Sequence, residues 1–176
     1  RKQTSFEFLF SKVLWDIMLT DFYGNHMTTS TGLARDSYDI GLRAFLSANY
    51  GAQEAFSQSV EADPNFVLAY LGLFRAFMSS GQVAEAKAAL GKAKDLLDGI
   101  TDREKSHLLC CEFILLGEAK KARAAVHSHV SEWPRDAMIA QMNTSVFGLI
   151  GFSGEVGREI DLLEYTEKLL PQYGDD

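Results

Sequence analysis

Apolar residues along this chain recur at the spacing of a helix rather than a strand. Phe6, Leu9, Phe10, Val13, Leu14, Ile17, Met18 and Phe22 follow one another at intervals of mostly three and four, which lays an apolar stripe along one side of a helix. Trp15 widens that stripe, and Gly24-Asn25 supplies a stop. After the polar run from His26 to Thr31, Ser30 or Thr31 can cap a helix over 32–48, whose buried side is Tyr38, Leu42, Phe45 and Leu46. Further helices are predicted over 52–62, 66–79, 83–97, 102–116, 119–131, 137–152 and 155–170. Pro64, Pro134 and Pro171 mark ends because a residue before proline is pushed out of the helical region. Thr101-Asp102-Arg103-Glu104 reads as a capping box, in which hydroxyl and carboxylate satisfy two orphan amides reciprocally.

The helices repeat. The register Gly81, Ala86, Leu90, Ala93 returns 36 residues later as Gly117, Ala122, Val126, and 34 residues earlier as Ala52 and Phe56. A small residue, a large apolar residue four positions on and a proline further along form the second-helix signature of a tetratricopeptide-type repeat. The predicted fold is therefore all-α, a superhelix of about eight to nine helices stacked as hairpins, in a single domain over 1–176. The hairpins fall at about 6–48, 51–80, 82–116 and 118–152, with a last helix at 155–170, and Phe147 is expected at the repeat position held by Phe77 and Phe113. No polar capping helix closes the series, which predicts that the chain is part of a longer protein.

In such hairpins the first helices line a concave groove. Its predicted wall is Leu68, Leu71, Arg75 and Met78, then Glu104, His107, Cys111 and Ile114, then Met138, Gln141, Ser145 and Gly148. The candidate binding residues are Arg75, Glu104, His107, Gln141 and Ser145, joined by Arg103 on the same helical face as His107.

Composition narrows the partners. A hydrophobic share of 47% with 23% charged residues excludes wholesale disorder. The formal net charge of −7 makes nucleic acid and anionic lipid unfavourable partners. No run of about 18 apolar residues suggests a membrane span. Adjacent Cys110 and Cys111 cannot join without strain, so reduced thiols and a cytoplasmic location are expected.

Chemistry is sparse. His107 and Cys111, four apart on a helix, have the spacing of a nucleophile and base, yet no positioned acid follows them in sequence. His127 and His129, two apart, point to different sides of a helix and do not suit a zinc pair. Gly148, Gly151, Gly154 and Gly157 lack the lysine of a phosphate-binding loop and fit close packing and a turn instead. No catalytic residue, metal or cofactor is assigned.

The stretch from Thr28 to Leu42, Ala62-Asp63-Pro64-Asn65-Phe66, Arg103-Glu104-Lys105-Ser106-His107 and Trp133-Pro134-Arg135-Asp136, with Gly151 downstream, resembles the opening third of the tetratricopeptide repeat protein 38 family. The resemblance spans about 21–171 and is most specific at Arg103, Glu104 and His107. It departs from the family pattern at Trp133, where the family has His, and at Ser145, where an acidic residue is usual. It implies a helical repeat fold in a protein more than twice this length, with no assigned activity. The leading expectation is an interaction or scaffold module that binds a protein partner, its own continuation or a second copy of itself. The alternative is part of a small-molecule or enzyme site completed elsewhere, with Arg103, Glu104 and His107 contributing.

Overall fold

The computed structural model describes residues 18–174. Within them the chain forms eight α-helices: α1 Gly32–Leu46, α2 Ala52–Ala62, α3 Val67–Ser79, α4 Val83–Lys94, α5 Asp102–Leu115, α6 Ala119–Glu132, α7 Ala137–Thr144 and α8 Arg158–Tyr173, with a 3-10 turn at Gly151–Ser153 before the last. No strand occurs among the described residues, only an isolated bridge between Thr20 and His26. The fold is all-α, and consecutive helices pack on one another as a helical repeat requires. Packing is closest between α1 and α2 and between α3 and α4, followed by α2–α3 and α5–α6. The α2–α3 pair is the hairpin expected at 51–80, while α3–α4 and α5–α6 pack across the boundaries expected at 80/82 and 116/118. The odd-numbered helices also meet each other, α1 with α3, α3 with α5 and α1 with α7, so they form an inner layer.

Small residues set how closely the layers approach. The Phe56 ring of α2 is fully buried between α1 and α3, and a Cβ added at Gly41 or Gly72 would stand 2.7 and 2.5 Å from it. Tyr38 packs on that ring with centroids 5.6 Å apart, and Phe66 meets Tyr38 in turn at 5.5 Å. Such buried aromatic contacts supply much of the apolar stabilisation of a domain this size.

Four local expectations need correction. The helix expected over 6–22 falls largely outside the described residues, but Leu19–Phe22 are not helical: they belong to a turn in which Gly24 adopts φ +83°. The helix from Val83 ends at Lys94 rather than 97. The helix expected over 137–152 stops at Thr144, where Ser145 turns extended (φ −107°, ψ 159°). Residues 145–150 then fold back, with Leu149 N–H bonded to the Met142 carbonyl, and a Cβ at Gly151 would collide with the Val146 carbonyl at 2.1 Å. Phe147 consequently stands 78% exposed instead of taking the repeat position of the half-buried Phe77 and Phe113.

Finally, Pro171 lies inside α8 rather than ending it. A proline costs one helical hydrogen bond, and the two residues beyond it are held from outside. The Tyr173 ring meets Tyr23 edge-on at 5.6 Å, and Arg135 Nη1 donates to the Gln172 carbonyl. No helix of the described residues is long and apolar enough to cross a membrane.

Candidate functional site

Two groups of polar side chains stand out, one sealed and one open to a cavity. The sealed group centres on Asp136, the N-cap of α7, whose Oδ1 accepts from the Ile139 N–H at 3.4 Å. Its Oδ2 accepts from Arg103 Nη1 at 2.7 Å and lies 3.3 Å from His107 Nδ1. His129 Nε2 is 3.2 Å from the same oxygen, off the hydrogen-bond axis, while its Nδ1 meets Ser106 Oγ at 2.9 Å. Asp21 Oδ2 adds a second carboxylate 3.7 Å from Arg103 Nη1. All five side chains are buried.

Burial alone would raise the Asp136 carboxyl, but His107 and Arg103 beside it outweigh that and hold it well below the usual carboxylate range. Burial lowers His107 in spite of Asp136, so the ring is neutral at pH 7. An ionised carboxylate only accepts, which assigns the His107 proton to Nδ1 and leaves Nε2 bare. For Arg103 the loss of hydration is more than offset by Asp136 and Asp21, and its charge is secured.

This core is stitched to the segment preceding α1. Glu104 of α5 receives the Thr28 N–H and Oγ1–H on one oxygen, at 3.0 and 2.8 Å, and the Thr101 N–H and Oγ1–H on the other, at 2.8 and 2.9 Å. The capping box read from sequence is thus formed, and its carboxylate does double duty across 76 residues of chain. Arg103 Nη2 donates to the His26 carbonyl at 3.0 Å, Asn25 Nδ2 to the Arg135 carbonyl at 3.0 Å, and Thr29 Oγ1 to Asp63 Oδ2 at 2.6 Å. Residues 18–31 are a strap across α5, the α2–α3 joint and the joint before α7.

The arrangement suits cohesion rather than reaction. The sequence offered no acid for His107, and the structure supplies Asp136, 29 residues away. The cysteines do not complete a nucleophilic set, because burial pushes the Cys110 thiol up to about 12 and Cys111 further in the same direction. Among the described residues no group of three His, Cys, Asp or Glu is placed to hold a metal ion.

The open group lines a cavity of about 570 Å³ between the inner helices and the 145–155 turn. Phe45, Arg75, Met78, Ile114, Gln141 and Met142 come from α1, α3, α5 and α7, and Ser145, Leu149 and Glu155 from the turn. Phe147 and Phe152 form its rim, 78% and 71% exposed, with ring centroids 5.7 Å apart. Arg75 Nη2 donates to Gln141 Oε1 at 2.7 Å, and its guanidinium lies 5.3 Å from the Phe45 ring centroid.

The six sequence-predicted site residues therefore divide. Arg75, Gln141 and Ser145 line the cavity, whereas Arg103, Glu104 and His107 are enclosed in the strap network. Leu68, Leu71, Cys111 and Met138, predicted on the groove wall, are also core. The rim aromatics were missed because helix periodicity carried Phe147 into the repeat position of Phe77 and Phe113; the Gly148 and Gly151 pair was the available signal against it. No family model, curated protein or solved structure matches the chain.

Proposed function

We propose that the chain is a TPR-like interaction module that holds a segment of a partner protein in the cavity of its inner helices, as a scaffold rather than as an enzyme. One observation carries this reading: a half-open apolar cavity is rimmed by two large aromatic side chains left in water, Phe147 and Phe152. Exposed aromatics grouped around a concavity are the usual mark of a binding surface. Membership of the tetratricopeptide repeat protein 38 family is part of the proposal. It is supported by the way Thr28, Asp63, Arg103, Glu104, His107 and Asp136, drawn from four separate stretches of that resemblance, join the buried polar contacts of the strap. The burial of Arg103, Glu104 and His107, each already engaged in the strap network, also weighs against the enzyme alternative. The unbonded thiols of Cys110 and Cys111 support a cytoplasmic setting.

Panning a random peptide-display library against the chain tests the module reading. Enriched peptides should bind, and a Phe147→Asp, Phe152→Asp double variant should bind them at least tenfold more weakly at an unchanged melting temperature. Failure to enrich any sequence, or binding indifferent to the rim variant, would count against it.

A further inference from the structure

Among the described residues, Arg75 is a cation without a counterion. Its Nε is closed off from water and has no hydrogen-bond partner, its one hydrogen bond goes to the neutral Gln141, and Phe45 covers one face. Among the described residues, the titratable groups that favour its charge are the Cys111 and Cys110 thiols, which stay protonated. Burial consequently lowers its pKa, whereas carboxylates raise that of Arg103. The charge balance of the cavity is lopsided too: in a chain of net charge −7, its wall carries Arg75, Lys120 and Arg123 against the single carboxylate of Glu155. Glu155 is already engaged, 2.6 Å from Arg123 Nη2 and 3.8 Å from Lys120 Nζ. A half-buried guanidinium whose Nε is closed off and which has no carboxylate beside it among the described residues is costly, and the missing group is an anion.

The surroundings say which anion. Gln141 accepts from Arg75 through Oε1, so its amide N–H₂ remains to donate; Ser145 Oγ accepts from the Phe147 N–H at 3.1 Å, so its hydroxyl proton remains as well. Lys120 and Arg123 share Glu155, so Arg75 is the one cation of this wall with no carboxylate beside it among the described residues; with two neutral donors it suits a monoanion better than a doubly charged phosphate. A guanidinium edge matches the two oxygens of a carboxylate. Phe45, Met78, Ile114, Met142 and Leu149 surround these donors with apolar surface.

We infer that the cavity is a binding site for a single carboxylate carried on an apolar aliphatic or aromatic body, seated on Arg75 with Gln141 and Ser145. The carboxylate comes either from a free apolar acid or from the last residue of a peptide, and both present the same chemistry. This site lies on the inner helices beneath the rim of the proposed module and does not depend on a partner being found.

Titration calorimetry of the whole chain at pH 7 tests it with matched pairs of probes: decanoate against decanamide, 4-phenylbutyrate against 4-phenylbutanamide, and the peptide Gly-Ser-Gly-Leu-Phe with a free or an amidated end. At least one acid should bind ten- to a hundredfold more tightly than its amide, the range of a charge-assisted hydrogen-bonded pair. Arg75→Gln should reduce that acid to the level of its amide, and Arg75→Lys should fall between. Whether the free acids or the peptide acid show the preference identifies the source. Equal binding of every acid and its amide to the unsubstituted chain, or a preference that survives Arg75→Gln, would overturn the inference. The first comparison needs no variant and so does not depend on one folding. Display peptides that bind in amidated form with no acid preference would leave the module reading standing while removing this one.

Discussion

Arg103 and Arg75 both sit on inner helices with Nε closed off and unbonded, yet their surroundings are opposites. Arg103 has Asp136 at 2.7 Å, Asp21 at 3.7 Å and a backbone carbonyl at 3.0 Å. Arg75 has an amide oxygen and an aromatic face. A buried charge that is fully paired fixes the geometry of the elements around it, and here those are α5, α7 and the strap. A half-buried charge with no carboxylate beside it among the described residues does little for the fold. Its retention beside a cavity, among donors with protons to spare, points to work done for a ligand. The contrast separates what holds this molecule together from what it offers to others.

The sharpest way to break the paired side is to remove its acid. Asp136→Ala leaves Arg103 without its nearest carboxylate and strips His107 of its hydrogen-bond partner. It is expected to cost about 3–5 kcal/mol in urea unfolding, the range for breaking a buried ion pair from one side. Glu104→Gln keeps the shape of the side chain but takes away the charge that receives four hydrogen bonds. It should cost about 1–3 kcal/mol, with earlier hydrogen exchange at the Thr28 and Thr101 amides.

Acid should loosen the paired side in two stages. His107 has a folded pKa below its unfolded value of about 6.5, so the unfolded chain takes up its proton first. Stability from keeping this ring neutral is full above that pH and declines as pH falls below it, no faster than about 1.4 kcal/mol per pH unit. Asp136, held well below its unfolded value, gives stability that is full above about pH 4 and is lost on further acidification. Asp39, raised by burial to about 6, works the other way between about pH 6 and 4. The histidine contribution is therefore read as the difference between the chain and His107→Asn, and that difference should shift in the variant's favour from pH 7 to pH 5. At the small end, Lys105→Ala removes an exposed ion pair 3.0 Å long and should change stability by less than about 0.5 kcal/mol.

The sequence made local features legible. The Thr101 capping box and the ends of α2 at Ala62 and α6 at Glu132 depend on neighbours in the chain, and periodicity and turn chemistry recover them to within a residue. The inner-helix register likewise put Arg75, Gln141 and Ser145 on one wall. What stayed hidden depends on distance along the chain. Arg103 and His107 look like groove residues until Asp136, 33 and 29 residues away, closes over them. Thr28 to Thr31 look like a solvated lead-in until Glu104 and Asp63 reach them. The break of α7 at Ser145 defeated a helical period that continued through it, because a tight turn over Gly148 and Gly151 outweighs weak local propensity.

The contrast between the two arginines is tested most directly by thermal and urea unfolding of Arg75→Met and Arg103→Met side by side. Replacing the unpaired cation with a side chain of similar length should raise stability by about 0.5–2 kcal/mol, as when a group retained for function is exchanged for one that packs. Replacing the paired one should lower it by about 3–5 kcal/mol, since Asp136 and Asp21 are then buried without their cation. Opposite signs are the expected result. Losses of similar size at both positions would show that Arg75 is part of the scaffold after all, and would contradict the account.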